Sequence, residues 1–557
     1  MRYKIVYSAL FLLLLTTALS AQQLTDNFYV RVLQQELKRN IERLHLPDLE
    51  KPFFVAYQLR NQNTFSINGE RGQITSTATE PVNNQSASVK VRVGDYHRNF
   101  DYMMYDGSFI NLPDETNADE YRRLLWLETD KAYKNNARQY SGFVSSLKRV
   151  IVDESELALD DMAKVPAVVK DFGEASPITV DKATWRRHLE KLSKLFNKYP
   201  QITTSYCRLM INSYEDYMVS SEGTIVRRPG GYVSLTAVGA TTDEQGVTTS
   251  DDYSITVASI DELPSLAALE IHVTQLIDRI LLKQKAKPFE GSYMGPVLFT
   301  GNAATDLVYQ CFAAPLQTRR KSIMGYGTTG VDYEEKLGQK LIASELTLKA
   351  IPSLKMVDGK HTTGSFPIDD EGVIPVDSLT LIEGGILKAL LNGRTPTKRF
   401  PFSQGFARSF IGRGCTAGVL KLSSSKTAPA DSMVARLIKV AKEEGLPAAY
   451  IVKKLYYSAP EIYKLDVATG DITLVNQCRI TPLSLKSLRR FIVASDQTIL
   501  ENMAQLSLVA PESLLINEVE IEKNEVTSRP KPIIVSNPLL LSSVDKTPAV
   551  RKAKKGR

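Results

Sequence analysis

The stretch that decides the fold runs from Gly295 to Ala314 and reads GPVLFTGNAATDLVYQCFAA. Its first five residues form a short apolar run that predicts a strand, and the residues from 302 to 314 are expected to form a helix. Within that helix Leu307, Val308, Cys311 and Phe312 stand at i, i+1, i+4 and i+5, which gives it one apolar face. The stretch therefore predicts a strand followed at once by an amphipathic helix.

The sequence on either side of this stretch indicates an α+β fold. Most of residues 295–545 consists of strand-like runs between turn signals such as Asp358-Gly359 and Gly470-Asp471. This pattern predicts a carboxyl-terminal domain of mainly antiparallel strands with one embedded helix, after an amino-terminal region of antiparallel strands and helices. The predicted divisions are a signal peptide at 1–21, an α+β unit at 22–165, a second α+β unit at 178–287, the carboxyl-terminal domain at 288–545 and a basic disordered tail at 546–557.

Apolar residues at helical spacing predict four helices in the amino-terminal region. They are expected over residues 24–45, 118–162, 184–196 and 264–283. Pro166 and Pro177 bracket residues 170–176, which are expected to form a linker.

The amino terminus has the composition of a secretory signal. Arg2 and Lys4 precede a mostly apolar run that ends at Leu19, and small residues follow up to Ala21. The run is shorter than the roughly 20 apolar residues that span a bilayer, and its small residues suit signal peptidase. We therefore expect a cleaved signal and a mature protein in the periplasm or outside the cell, without stable membrane insertion. An uncleaved membrane anchor is the alternative.

The net charge of +7 does not indicate a nucleic-acid partner. Two of the cations lie before residue 5 and five lie in the last seven residues, which together account for the whole excess. Residues 22–550 are therefore neutral, and bulk charge gives no reason to expect a surface that follows a phosphate backbone.

The four cysteines do not form a disulfide framework in the sequence. Cys207, Cys311, Cys415 and Cys478 lie far apart and include no CxxC pair. An exported protein with this spacing does not depend on disulfides for its fold, although pairing of these cysteines stays open.

Several separate motifs follow the first stretch in a fixed order. They are Ile368-Asp369-Asp370-Glu371-Gly372, then Leu381–Lys388, then Ser403-Gln404-Gly405-Phe406-Ala407-Arg408, with Ser221–Thr224 upstream and Asp466–Arg479 downstream. In this order and spacing they resemble the TldD/TldE (PmbA) family, whose members were called modulators of DNA gyrase. The resemblance covers residues 180–540.

The resemblance implies a specific zinc chemistry. TldD-type members are zinc peptidases with His-Glu-x-x-x-His on the helix after the Gly-Pro-Val strand and a Cys near the carboxyl terminus as third ligand, and they cleave short or unfolded peptides. TldE-type members share the fold, lack the ligands and pair with a TldD-type subunit. Matched to this pattern, the chain has Tyr309 for the first His, Gln310 for the Glu and Ala314 for the second His. The segment Ala510–Leu514, where the Cys is expected, contains none.

These replacements remove the chemistry that zinc requires. Ala314 has no donor atom, Gln310 is a neutral amide that cannot act as a general base, and Tyr309 would have to ionise from a pKa near 10. We therefore expect no catalytic residue, no metal ligand and no cofactor in this chain, and zinc in a TldD-like partner.

Two other groups of residues were weighed as catalytic candidates. Cys311 and His361 would form a nucleophilic pair if their side chains met, but Cys311 lies on the apolar helix face, which favours packing. Asp369, Asp370 and Glu371 would suit an acid/base or metal site, but their place between Pro367 and Gly372 indicates a turn.

The sequence thus predicts an exported, non-catalytic subunit that supports a TldD-like metallopeptidase acting on short or unfolded peptides. Two alternatives stay open. One is an active hydrolase of the same family with unrecognised catalytic residues. The other is an envelope protein that binds peptides or acts as a scaffold without a peptidase partner.

Overall fold

The structure is a computed structural model of the chain. It describes residues 22, 24–78, 80–104, 108–244, 246–323, 331–409, 414–455 and 460–524. The predicted signal peptide at 1–21 and the predicted tail at 546–557 lie outside the described residues. In the described part, no helix is both long and apolar enough to cross a bilayer.

An eight-stranded sheet forms the amino-terminal region. Its strands are β1 (Pro52–Glu70), β2 (Gln73–Thr77), β3 (Val82–Val93), β4 (Ser108–Leu112), β5 (Val169–Asp171), β6 (Ile202–Ser220), β7 (Ile225–Thr242) and β8 (Thr248–Val257). The order is β4-β3-β1-β6-β7-β5, with β2 paired to β1 and β8 to β7. β1 belongs to the predicted unit 22–165 and β6 to the unit 178–287, and they pair from Ala56–Ser220 to Gly69–Cys207. Strands of both segments therefore share one sheet.

The apolar runs at residues 53–57 and 64–68 predict two separate strands, but the structure has one long strand there, β1. Its centre is polar, and such a run suggests a break between strands. In the structure, the Asn83 side-chain amide on β3 donates to Asn61 at 2.7 Å and to Asn63 at 3.0 Å. These cross-strand bonds satisfy the polar residues, so the strand continues through them.

Helices cover one face of this sheet. They are α1 (Phe28–Arg43), α2 (Ala118–Leu147), α4 (Lys182–Lys194) and α5 (Leu266–Lys285), whereas the short helix α3 (Glu154–Leu157) has no buried residue. Tyr57 and Leu59 of β1 share a core with α1 and α2, whereas Phe65 and Ile67 share a core with α4 and α5. These four residues are odd-numbered, so they point to the same face of the strand.

The even-numbered residues of the same strands form a polar face. Gln58 and Arg60 on β1, Arg92 on β3, Asp216 on β6 and Arg228 on β7 belong to it. The side chain of Gln58 donates to the carbonyl of Asp370, so this face lies against the carboxyl-terminal domain.

One predicted helix limit and the predicted linker differ in the structure. The helix predicted over 118–162 ends at Leu147, and Ile151 is fully exposed. Asp153 accepts the Ser155 N–H at 2.7 Å and starts the separate helix α3, so the capping residue interrupts the apolar periodicity. The predicted linker contains β5, which pairs in parallel with β7.

The carboxyl-terminal domain contains most of the remaining strands. They are β9 (Ser292–Thr300), β10 (Leu346–Ala350), β11 (Met356–Val357), β12 (Lys360–His361), β13 (Leu379–Glu383), β14 (Ile386–Leu387), β15 (Val419–Ser424), β16 (Thr427–Ala428), β17 (Ala448–Lys454), β18 (Glu461–Asp466), β19 (Ile472–Val475), β20 (Cys478–Ile480), β21 (Phe491–Ser495), β22 (Thr498–Asn502), β23 (Ser507–Pro511) and β24 (Ser513–Lys523). One sheet has the order β16-β21-β24-β9-β17-β18-β19 with β20 on β24, and another has the order β14-β13-β10-β15-β23-β22. Most pairs are antiparallel, which confirms the predicted α+β class.

The strand β9 is buried on both faces. Val297 and Phe299 join the main core with the helix α6 (Asn302–Val308), whereas Leu298 packs under the helix α7 (Met433–Glu443). The sequence predicted one embedded helix in this domain, and α7 is a second one. Met433, Leu437 and Ala441 of α7 are buried at intervals of four residues, a spacing that indicates a helix in the sequence.

Candidate functional site

The predicted helix 302–314 keeps an unusual backbone at the positions that the family resemblance singled out. α6 ends at Val308, and Tyr309–Ala313 continue as a π-helix. Bonds of the i→i+5 type bring residues five apart towards one face of the helix, and such turns are frequent at functional sites. Tyr309 and Ala314 are five residues apart, so the helix retains a spacing that suits two ligands.

The side chains of this turn divide into two faces. Tyr309 is 47% exposed, Ala314 is exposed and Gln310 is partly buried, whereas Cys311 and Phe312 are buried in the main core. The degenerate positions therefore face the surface, and replacing their side chains leaves the core unchanged.

Cys311 is a packing residue, as predicted from the apolar helix face. It is 1% exposed, and burial raises the pKa of its thiol to about 12. His361 lies elsewhere, with its ring hydrogen-bonded to Glu262 of the amino-terminal region. The structure does not bring the two side chains together, and a buried neutral thiol is a poor nucleophile. Cys207, Cys415 and Cys478 are free as well.

The segment expected to carry a third ligand does lie beside α6. The Gly301 N–H donates to the Glu512 carbonyl at 2.9 Å, which places the junction of β23 and β24 at the start of the helix. Ala510 and Ser513 are buried there, and neither supplies a strong metal donor.

A pair of carboxyl groups that sequence reasoning missed lies next to α6. The Thr305 hydroxyl donates to Glu501 of β22, and the Leu455 N–H donates to the Asp306 carboxylate at 3.1 Å. Burial and the nearby Asp306 raise the pKa of Glu501 to about 7, although Thr305 and Lys454 act against this shift. Burial also raises the pKa of Asp306. Perturbed carboxyl groups of this kind are more frequent at functional sites than elsewhere.

The acidic segment 369–371 forms a turn, as predicted, and the turn is anchored by the backbone. Asp369 accepts N–H groups of Glu371 at 2.9 Å, Val373 at 2.8 Å and Ala407 at 3.1 Å. Burial and the Glu371 carboxylate nevertheless raise the pKa of Asp369 to about 8. Gly372 closes the turn at a φ of 79°.

The other carboxylates of this turn meet the polar face of the amino-terminal sheet. Arg228 donates to Asp370 at 2.7 Å and to Asp216 at 2.6 Å, and Arg60 donates to Asp216 at 2.7 Å. Although burial opposes it, the two guanidinium groups lower the pKa of Asp216 to about 2. The turn therefore fastens the two regions of the chain together rather than presenting free carboxylates.

A cavity of about 20 Å³ lies at this junction, lined by residues that include Gln58, Asp216, Arg228 and Asp370. A space of this size holds about one water molecule. It is too small for a peptide, so it is not a substrate pocket.

The carboxyl-terminal domain matches a known family model. Residues 290–443 match the model of the PmbA/TldA metallopeptidase C-terminal domain. This part of the chain therefore carries the domain type that the TldD/TldE resemblance implied. No curated protein sequence matches the chain.

Solved structures of similar fold extend the likeness beyond that domain. A Thermotoga maritima protein described as a modulator of a DNA gyrase is 14% identical with a TM-score of 0.57, covering 89% of this chain and 99% of its own. TldE from Thermococcus kodakarensis is 13% identical with a TM-score of 0.56, covering 88% and 99%. A Bacteroides thetaiotaomicron protein described as a modulator of DNA gyrase is 13% identical with a TM-score of 0.58, covering 88% and 98%. At these identities the likeness shows a shared fold.

The residues of this chain do not fit the zinc ion that the matched metallopeptidase domain implies. The three motif positions supply a phenol, an amide and a methyl group where two imidazoles and a carboxylate are needed. Within the described ranges, no three His, Cys, Asp or Glu side chains are grouped so that they could hold a metal ion.

Proposed function

We propose that this chain is an exported, non-catalytic subunit that supports a TldD-like zinc peptidase in cleaving short or unfolded peptides. The observation that carries the proposal is the π turn at Tyr309–Ala313, which keeps the helical frame of a ligand pair but exposes side chains that cannot bind zinc. A subunit that associates through the family fold is expected to keep this backbone even where its side chains cannot bind zinc.

Export is part of the proposal and is supported by the composition of residues 1–21. The amino-terminal charge and the short apolar run suit a cleaved signal. Sequencing the amino terminus of the protein from the envelope fraction tests this point, and a start at Met1 in the cytoplasm would contradict it.

The decisive experiment is reconstitution with a TldD-like peptidase that has its His-Glu-x-x-x-His motif intact. We expect the two chains to co-purify, the complex to hold zinc in the partner, and cleavage of an unfolded substrate to require both chains. The matched control replaces the first His of the partner's motif, which should abolish activity without separating the chains. Zinc retained by the isolated chain after dialysis would contradict the proposal.

A second candidate function is independent hydrolysis, which the raised pKa values of Asp306 and Glu501 favour. Two neighbouring carboxyl groups with raised pKa values can act as general acid and base. Cleavage of peptides by the isolated chain, lost in Glu501→Gln, would establish this function in place of the first. Failure of both experiments, with peptide binding intact, would leave a standalone binding protein.

A further inference from the structure

An arginine in the carboxyl-terminal domain is buried without a carboxylate of its own. Arg408 is 8% exposed, and its Nε and Nη1 atoms are buried with no hydrogen-bond acceptor among the described residues. Its guanidinium carbon lies 4.4 Å from the ring centroid of Phe366. Burying a charge without a hydrogen-bond acceptor is unfavourable, because water has been removed from it and only the face of the Phe366 ring replaces the water.

The neighbouring charges do not neutralise Arg408. The guanidinium cluster, defined as Arg60, Arg228, Arg408, Asp216 and Asp370, contains three cations and two carboxylates. Both carboxylates are already bonded to Arg60 or Arg228. Burial and the nearby Arg228 lower the pKa of Arg408, which means that its surroundings disfavour the charge. The cluster therefore lacks one negative group.

The nearby acidic turn does not supply that group. Asp369 accepts the Ala407 N–H, one residue before Arg408, but burial and Glu371 raise its pKa to about 8. Near neutral pH the protonated form of Asp369 is therefore favoured.

A second unpartnered group lies four residues earlier on the same segment. The side-chain amide oxygen of Gln404 is buried and has no donor among the described residues. The backbone groups of Gln404 are bonded, to the Asn392 side chain at 3.0 Å and to the Val376 N–H at 3.3 Å. The Gln404–Arg408 segment thus offers one free acceptor and one free pair of donors.

Exposed apolar side chains border this segment. Phe402 is 64% exposed, Ile374 is 54% exposed and Val376 is 41% exposed. The backbone of Ile374 and Pro375 packs against Gly405, so the apolar loop and the segment are in contact. Exposed apolar groups beside unsatisfied polar atoms are typical of a ligand surface.

We propose that the Gln404–Arg408 segment binds the carboxyl terminus of a peptide, with Arg408 pairing to the carboxylate and Gln404 accepting a peptide N–H. A carboxylate is planar and accepts two parallel bonds from a guanidinium group. A phosphate offers neither an N–H nor an apolar side chain, whereas the end of a peptide offers a carboxylate, an N–H and an apolar side chain together. The inference rests on the proposed function only in taking peptides as the ligand.

Binding is tested with the full mature chain and three labelled peptides. The first is Ala-Gly-Ala-Phe-Ala-Leu with a free carboxyl terminus, the second is its amide, and the third is the amide with Glu in place of the last Leu. By fluorescence anisotropy, we expect the free acid to bind at least tenfold more tightly than the plain amide. Tight binding of the Glu peptide would assign the site to carboxylates in general, including side chains.

Arg408→Met should abolish the preference for the free acid, and Arg408→Lys should retain part of it because the charge remains. Equal binding of acid and amide by the wild-type chain, or an unchanged preference in Arg408→Met, would overturn the proposal. Mass spectrometry of the bound peptide reports cleavage separately. A cleaved peptide would contradict the non-catalytic role without affecting the carboxylate preference.

Thermal unfolding separates a binding role from a structural one. Without peptide, Arg408→Met should have a melting temperature equal to or above that of the wild type, because it removes an unpaired buried charge. The matched control is Arg228→Met, which breaks paired contacts and should lower the melting temperature. If the melting temperature of Arg408→Met falls as far as that of Arg228→Met, Arg408 has a structural role and the proposal is overturned.

Discussion

The exposed face of the π turn and the buried charges around Arg228 differ in their exposure to solvent. Tyr309 and Ala314 face the surface, whereas Arg228, Asp216 and Asp370 are less than a tenth exposed. On the exposed face a residue can lose its function without leaving a buried group unsatisfied. In the buried cluster, removal of Arg228 takes hydrogen bonds from Asp216 and Asp370, and no water replaces them. The comparison explains why side chains at Tyr309 and Ala314 can change without loss of the fold around them.

The largest expected effect is on the buried side of the comparison. Arg228→Met removes the guanidinium that donates to the buried carboxylates of Asp216 and Asp370, so we expect the free energy of unfolding to fall by about 3–5 kcal/mol. Urea denaturation measures it. The matched control is Arg479→Ala, whose partner Glu522 is exposed, and it should cost less than about 1 kcal/mol. If both variants lose a similar free energy of unfolding, the expected difference between buried and exposed ion pairs is contradicted.

The next effect is a pH dependence at Glu501. Its pKa is about 7 in the folded chain, above the value near 4.3 in an unfolded chain. The folded state therefore binds more protons between these values, and stability falls as pH rises from about 4 to 7. Glu501→Gln should remove this fall, so its stability relative to wild type should increase by about 3 kcal/mol between pH 4 and pH 8.

Denaturation at both pH values measures the change at Glu501. The control Glu383→Gln replaces an exposed carboxylate and should show no such gain. If the difference in stability between the wild type and Glu501→Gln is the same at pH 4 and at pH 8, the raised pKa of Glu501 is contradicted.

A smaller effect is expected at Cys311, the buried neighbour of the exposed positions. Cys311→Ala removes one buried sulfur atom from the core and should lower the free energy of unfolding by about 1 kcal/mol. Peptidase activity of the reconstituted complex should not change, because the thiol packs and does not react. Loss of activity at full stability would restore the cysteine nucleophile as an alternative.

The smallest effect on stability is expected on the exposed face of the turn. The combined variant Tyr309→His, Gln310→Glu and Ala314→His should unfold within about 0.5 kcal/mol of the wild type, as surface substitutions do. It should bind zinc only weakly, because a catalytic site uses three protein ligands and the segment Ala510–Leu514 offers no cysteine. Elemental analysis after dialysis measures the metal, and tight stoichiometric zinc would contradict this expectation.

The sequence predicted much of this architecture because its signals are local. The apolar spacing of Leu307, Val308, Cys311 and Phe312 correctly predicted the helix and the burial of Cys311. The capping residue Asp153 was present in the sequence, but the apolar residues Val150 and Ile151 suggested a longer helix than the structure has. The polar centre of β1 suggested a break that cross-strand amide bonds prevent.

For the candidate site, the sequence alone provided the residue types at the motif positions but not the contacts around them. The sequence alone determined the α+β class, the family resemblance and the absence of zinc donors at Tyr309, Gln310 and Ala314, because these depend on residue type, order and spacing. Only the tertiary structure decided that Glu501 lies beside α6, that Arg228 bridges Asp216 and Asp370, and that Arg408 is buried without a carboxylate. These relations join residues up to 196 positions apart, and they depend on burial and electrostatic environment, which emerge when the sheets pack together.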